Sequence, residues 1–341
     1  MRIVMRWVLV LLSALACLVA IAWAAGALYF DFPIASLRAP LALVFAVAMV
    51  TAWIFVSGRG RATAVVAVGF AAVLSWWLTI RPSNTADWLP DVAQTAFAEV
   101  DGDNVVIHNF RNCDYRTETD YDARWETKAV HLSNLRGVDF FTDYWGSKLI
   151  CHTFLSFDFG PDGFVCISIE TRKKKGQTYS AIRGFYRQFA LCYIIGDERD
   201  IVRVRTNYRH EDLYVYRLLP ATPAKGRALF LDYLRSANML HEKPKWYNAI
   251  TSNCTTNIRL HIKDIGSAHP WDWQILVNGY IAERVYQLHA IDTSLPFAEL
   301  KRRSYIVPRA LAADRDPDFS LRIREGVPAM PQAVLELKPS G

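Results

Sequence analysis

"CHTFLSFDFGPDGFVCISIET", residues 151–171, reads as two strand-like runs on either side of a turn. Aromatic and β-branched residues alternate with small polar ones in each run, and Gly, Pro and Asp punctuate the middle. Pro161 suits the second position of a type I turn and Gly163 the left-handed position after it, so the expected hairpin has a three-residue loop. In that register Gly160 lies opposite Phe164, Phe154 faces Glu170 and His152 faces Arg172. Even-numbered residues of both strands then share one face. Glu170 becomes the diagonal neighbour of His152, close enough to orient an imidazole. An ion pair with Arg172 is the competing use of that carboxylate.

Outward from the hairpin, further strand-like runs fall at 105–110, 191–195, 201–206 and 213–218, and the hairpin's own first run extends back to 149. Helical patterns follow at 224–240 and 254–265. Strands first and helices later imply an α+β domain with a mostly antiparallel sheet.

The N-terminal part has a different character. Three apolar runs, 7–30, 39–56 and 64–80, are each long enough to cross roughly 30 Å of hydrocarbon as a helix. A cleaved signal peptide fits poorly, because the first run continues past "SALAC" and two more follow; "ALAC" is also a weak lipoprotein cleavage box, with Ala14 where a larger aliphatic is usual. Arg2 and Arg6 precede the first run, and Arg59 and Arg61 lie between the second and third. The intervening loop carries only Arg38, which places the N-terminus in the cytoplasm and everything after Arg81 outside. In a bacterium with two membranes this is an inner-membrane protein with a periplasmic C-terminal domain. The expected organisation is a membrane region over 1–80, a linker over 81–100, a globular domain over 101–312 and a tail over 313–341. The formal charge of +6 does not imply nucleic acid in that compartment. The short basic runs "TRKKKG" and "KRR" fit solvated faces, or contact with anionic headgroups.

Five cysteines follow the membrane region: Cys113, Cys151, Cys166, Cys192 and Cys254. Their number is odd, so at least one stays unpaired. No CxxC or paired spacing suggests zinc, and no metal or other cofactor is expected. Cys254 stands apart in "KWYNAITSNCTTNIRLHI", residues 245–262. Asn253 or Ser252 can cap a helix that starts there, and Ile258, Ile262 and Ile265 recur on what reads as its buried face. A thiol at a helix N-terminus is favoured as thiolate. Helix-start cysteines also occur as plain core residues, so a nucleophile needs a base. His261 is seven residues on, about 10 Å along the axis and too far. His108, His131, His210, His241 and His269 sit in polar, loop-like or helix-end contexts. His152, at the start of a strand with Glu170 near it, is the candidate.

A histidine on a strand, a polar partner on the next strand and a later helix-start cysteine resemble the circularly permuted papain-like (NlpC-type) thiol enzymes. The phrases "VVIHNFRNCDYRTETDY", "WGSKLICHTFLSFDFG", "ISIETRKKKGQTYS", "GDERDIVRVRTNYR" and "WYNAITSNCTTNI" resemble more closely the Lnb-type periplasmic domain family. That resemblance implies a permuted papain-like fold and a lipoprotein N-acyltransferase. Carried over by motif, Cys254 is the nucleophile, His152 the base and Glu170 its orienter. The backbone N–H of Cys254, with Tyr247, Asn248 or Asn253, would hold the oxyanion. The expected partners are a membrane phospholipid as acyl donor and a lipoprotein N-terminus as acceptor. Two alternatives remain: a Cys/His hydrolase of the same fold, acting on peptidoglycan or phospholipid, and a non-catalytic binding module.

Overall fold

A computed structural model describes residues 2–219, 222–266, 273–275 and 277–330, which divide into two compact units. His269 and residues 331–341 of the expected tail lie outside the described residues.

The first unit comprises residues 1–83, 177–190 and 245–249. Helices α1 (Arg2–Asp31), α2 (Ala35–Phe55) and α3 (Arg59–Thr79) are long and apolar enough to cross a membrane. Leu11, Leu43 and Phe55 are exposed on their outer surfaces, as side chains that face lipid should be. Segment 177–190 is fastened to the helix ends within this unit. Tyr186 stacks on Phe30 with ring centroids 4.9 Å apart. Gly26 makes room for it, since a Cβ there would lie 1.9 Å from the Tyr186 hydroxyl. Asp31 accepts hydrogen bonds from Trp77 Nε1 at 2.7 Å, Gln188 Nε2 at 2.6 Å and the Arg187 N–H at 3.1 Å.

The second unit is built on strands β1 (Phe97–Asp101), β2 (Asn104–Arg111), β3 (Asp114–Tyr115), β4 (Tyr121–Asp122), β5 (Trp125–His131), β6 (Gly137–Tyr144), β7 (His152–Asp158), β8 (Phe164–Arg172), β9 (Ala190–Gly196) and β10 (Asp212–Arg217). The main sheet runs β1-β2-β9-β8-β7-β6-β10, with β5 also paired to β2. Pairings β6–β7, β7–β8 and β6–β10 are antiparallel, whereas β2 meets β9 in parallel at Arg111 and Gly196. Its helices are α4 (Glu198–Arg203), α5 (Pro223–Glu242), α6 (Cys254–Asp264), α7 (Ile281–Gln287), α8 (Phe297–Ser304), α9 (Val307–Ala312) and α10 (Phe319–Arg322). The mixed α+β class and mostly antiparallel sheet agree with the sequence reading.

The two faces of the sheet differ in chemistry. Odd-numbered β7 residues meet α5 and α6: Phe157 packs on Phe230 and Tyr233, and Tyr233 stacks on His261 at 3.9 Å. Even-numbered β7 residues share the other face with Asp139 and Asp143 of β6. That face is buried and charged. Arg324 donates to Asp139 Oδ2 at 2.7 Å and to both Glu198 oxygens at 2.7 and 2.5 Å. Arg217 donates to Asp158 at 3.2 Å.

Three local expectations are corrected. The hairpin register is Phe154 to Ser168 and Asp158 to Phe164. Gly160–Asp162 forms a helical turn, closed by the Phe159 N–H donating to Gly163 O at 2.9 Å, so the loop is longer than three residues. Pairing moves by two, which preserves which residues share a face, and the continued register brings Glu170 directly across from His152. The strand expected from 149 begins at His152, because the Asn278 side chain hydrogen-bonds the Cys151 backbone N–H at 3.0 Å and carbonyl at 2.7 Å where a neighbouring strand would. The run 201–206 is not a strand. Asp197 caps α4 by accepting from the Arg199 N–H, and the chain continues into a π-helical turn at Val204–Tyr208. Alternating Val and Arg in "IVRVRT" imitates a half-buried strand, but Arg203 and Arg205 are themselves buried.

Residues 313–330 contribute Phe319, Ile323 and Arg324 to the buried interior. Arg324→Ala strands Glu198 in a dry environment and leaves Asp139 with Arg217 alone, at 2.8 Å. A loss of about 3–5 kcal/mol in unfolding free energy is expected, read from the denaturant midpoint of the full chain. A change below about 1 kcal/mol, the scale of an exposed pair, would show that the cluster contributes little.

Candidate active site

Cys254 is the first residue of α6. Asn253 caps the helix with its side chain accepting from the Thr256 N–H at 2.9 Å, while the Thr256 hydroxyl accepts from the Asn253 N–H at 2.9 Å. This reciprocal box fixes where the helix begins. The thiol, 9% exposed, hydrogen-bonds the His152 side chain and the Thr153 backbone, and lies 3.8 Å from Thr255 Oγ1. α6 packs on the odd-numbered face of β7, with Thr255 Oγ1 3.4 Å from Thr153 Oγ1, and not on the His152 face. The pair meets nonetheless, because His152 opens its strand and Cys254 opens its helix.

Behind the imidazole runs a directed chain of hydrogen bonds. Ser168 Oγ donates to Glu170 Oε1 at 2.7 Å, and His152 Nε2 lies 2.7 Å from Ser168 Oγ and 3.1 Å from Glu170 Oε1. A serine hydroxyl that donates to the carboxylate can only accept from Nε2, so Nε2 carries the proton and Nδ1 is left to serve the thiol. Arg205 donates to Glu170 Oε1 at 2.5 Å, pairs with Asp143 Oδ2 at 3.0 Å and lies over the Phe154 ring. Asp143 is itself paired in register with His152. A second brace holds the strand start and the helix start together: the Asn278 amide that grips Cys151 also donates to Thr255 Oγ1 at 2.7 Å, tying the residue before His152 to the residue after Cys254.

These contacts set the charges. Burial alone would raise the Cys254 pKa, but the His152 charge and hydrogen bond bring it down to about 7. Burial would lower His152, yet Glu170 and the Cys254 thiolate lift it to about 10. Glu170 is half-buried, with its side chain 26% exposed; burial would raise it, but His152 and Arg205 hold it well below the usual carboxylate range. The two shifts, each caused in part by the other group, favour thiolate with imidazolium. Cys113 and Cys192, buried without a cationic imidazole, are pushed up to about 12. All six cysteines are free.

Of the residues singled out in the sequence, Cys254, His152 and Glu170 come together. Arg172, the competing partner for Glu170, instead donates to Val92 O, Ala93 O and Asn84 Oδ1 and stacks on Trp88. Asn253 acts as the helix cap. Tyr247 and Asn248 belong to the unit that contains the membrane helices. His261 bonds Asp232 at 2.7 Å and Tyr193 at 2.8 Å. Sequence reasoning missed Ser168, Arg205, Asp143 and Asn278. Ser168 was within its reach, two residues before Glu170 on the same strand face.

The arrangement defines a buried cysteine–histidine pair backed by a half-buried carboxylate, at the junction of a strand start and a helix start. Residues 121–279 match the family model of the Lnb N-terminal periplasmic domain, which together with the three apolar helices fits a membrane protein with a periplasmic C-terminal domain. The match contains every residue of that arrangement, Asn278 included. No curated protein and no solved structure matches the chain.

Alkylation of Cys254 by iodoacetamide should rise with pH through a midpoint near 7, because a depressed thiol pKa supplies thiolate at lower pH. In His152→Ala the largest influence opposing burial is gone and the midpoint should move up to or above that of an ordinary thiol, about 8.5. Equal midpoints in the two proteins would show that His152 does not set the thiolate.

Proposed function

We propose that the chain is a membrane-anchored thiol acyltransferase of permuted papain-like (NlpC-type) construction. It moves an acyl chain from a lipid ester, through a Cys254 thioester, to the N-terminal amine of a lipoprotein. The orientation is N-terminus in the cytoplasm, with the catalytic domain on the periplasmic side of the bacterial inner membrane, as the placement of arginines around the apolar helices favours. The single observation that carries the reading is the thiolate–imidazolium pair: a buried thiol brought down in pKa by a histidine whose other nitrogen is engaged by serine and glutamate.

The steps follow from that pair. Cys254 Sγ attacks the ester carbonyl while Nδ1 of His152 holds the proton that came from the thiol. The tetrahedral oxyanion lies at the start of α6, where the backbone N–H of Cys254 is one of the donors left free by helix geometry. Collapse breaks the ester C–O bond, and His152 returns its proton to the departing lipid alkoxide. The thioester that remains is attacked by an amine, His152 accepts the amine proton, and the C–S bond breaks to restore Cys254. Glu170 and Arg205 act through His152 as positioning residues, Glu170 by stabilising the imidazolium in both halves of the cycle.

With phospholipid present and no amine, the wild-type protein should accumulate an acyl thioester on Cys254 that hydroxylamine removes at neutral pH. Cys254→Ser should carry no such adduct, because a serine hydroxyl is far harder to deprotonate than a thiol. His152→Ala should slow its formation by roughly 10²-fold or more, and Glu170→Gln by less. Intact-protein mass spectrometry reads all four. An adduct found only on Cys151, Cys166 or Cys192 would overturn the assignment, and one that water clears as fast as an amine does would make the chain a hydrolase.

A further inference from the structure

Segment 177–190 does more than join β8 to β9. Within the first unit it is fastened to the ends of two helices that can cross a membrane. Gln188 Nε2 donates to Phe30 O at 2.8 Å. The Arg187 guanidinium lies 4.1 Å from the centre of the Trp77 ring and donates to Leu78 O at 3.3 Å and to Ile80 O. Phe30 and Leu78 belong to the last turns of α1 and α3, where helix carbonyls have no partner inside the helix. Tyr186 reaches deeper. Its hydroxyl lies against Gly26, five residues before the end of α1 and so about 7.5 Å down the axis. Trp76 and Trp77, near the end of α3, are the residue type that marks a membrane–water boundary.

The same segment turns large apolar side chains outward. Ile182 is 61% exposed, Tyr179 44% and Phe185 36%. Ile182 caps a 3₁₀ turn at Arg183–Phe185, and three residues per turn bring Ile182 and Phe185 out on one side. Tyr179, three residues earlier, stacks on Phe189. Single exposed apolar residues need no explanation. Three within seven residues, on a segment pinned at the depth of the helix ends, continue the exposed apolar surface of Tyr29 and Leu78 at those same ends. We propose that residues 179–185 insert into the lipid leaflet at the Asp31 and Thr79 ends, with Ile182 and Phe185 at the boundary of headgroups and acyl chains. The orientation argued above makes this the periplasmic leaflet. The inference needs only that α1–α3 cross the membrane and holds whether or not Cys254 reacts. It gives the domain that carries the thiol a second tether to lipid, through the connection between β8 and β9, besides the linker after α3.

The test is photocrosslinking of the full chain in nanodiscs of phosphatidylethanolamine and phosphatidylglycerol. A benzophenone side chain replaces Ile182 or Phe185, and lipid adducts are read by peptide mapping with mass spectrometry. The same probe at Leu43 of α2 reports lipid, and at Thr119, exposed between β3 and β4, reports water. Adducts at 182 and 185 should match those at 43 and exceed those at 119 roughly tenfold. Ile182→Asp should lower the adduct at 185 several-fold, because a carboxylate is costly in the acyl region, and leave the adduct at 43 unchanged. Labelling at 182 and 185 no higher than at 119 would overturn the proposal. Crosslinks from these positions to a second copy of the chain in place of lipid would also overturn it, and would make this face a contact between chains. An adduct at 185 indifferent to Ile182→Asp would overturn the insertion of Ile182. A thioester on Cys254 in a chain whose segment labels like position 119 would remove the anchor and leave the acyltransferase standing.

Discussion

The buried guanidinium of Arg205 is the constraint on which the site depends. The half-buried carboxylate of Glu170 is held anionic by positive charge beside it, and the buried Arg205 supplies a fixed one at 2.5 Å. Arg205 in turn needs carboxylate and carbonyl partners on every side, and finds them in Glu170 of β8, Asp143 of β6 and Ile201 O of α4. Its contacts therefore determine how β6, β8 and α4 meet around the start of β7. The two carboxyl groups do not behave alike. Burial, with the Glu211 carboxylate alongside, pushes Asp143 well up despite Arg205, while Glu170 is held down by His152 and Arg205. Carboxyl groups driven apart by their surroundings divide the work: one stays anionic to hold the imidazolium, the other need not ionise.

Legibility in the sequence followed the same physics. The start of α6 was readable because capping is local: "SNCTT" holds both halves of the box in four residues. The hairpin was readable because strand alternation survives a register error of two, so the shared face of His152 and Glu170 held although the loop length did not. The charged face was not readable. β6 carries Asp139 and Asp143 toward the interior, and "IVRVRT" carries Arg203 and Arg205 inward on a helix and π turn. A pattern argument treats charge as a sign of exposure, and here the partners that permit burial come from far along the chain, Arg324 for Asp139 and Arg205 for Asp143. Asn278 left no signal at all, since an amide that replaces a strand neighbour looks like any loop asparagine until the Cys151 backbone is opposite it.

Burial normally silences a thiol, as it does for Cys113 and Cys192. Cys254 escapes because the charge that compensates it is as buried as it is, and the chain of partners ends in an arginine that never deprotonates. Such a pair is held dry, where its charges interact more strongly than in water. On the acyltransferase reading, dryness also decides what the proposed thioester meets. In an acyltransferase the adduct must outlast water and yield to an amine, and an enclosed site limits the water that can compete. On that reading the features that depress the thiol pKa and those that favour transfer over hydrolysis are one arrangement: a strand start and a helix start brought together with solvent kept out.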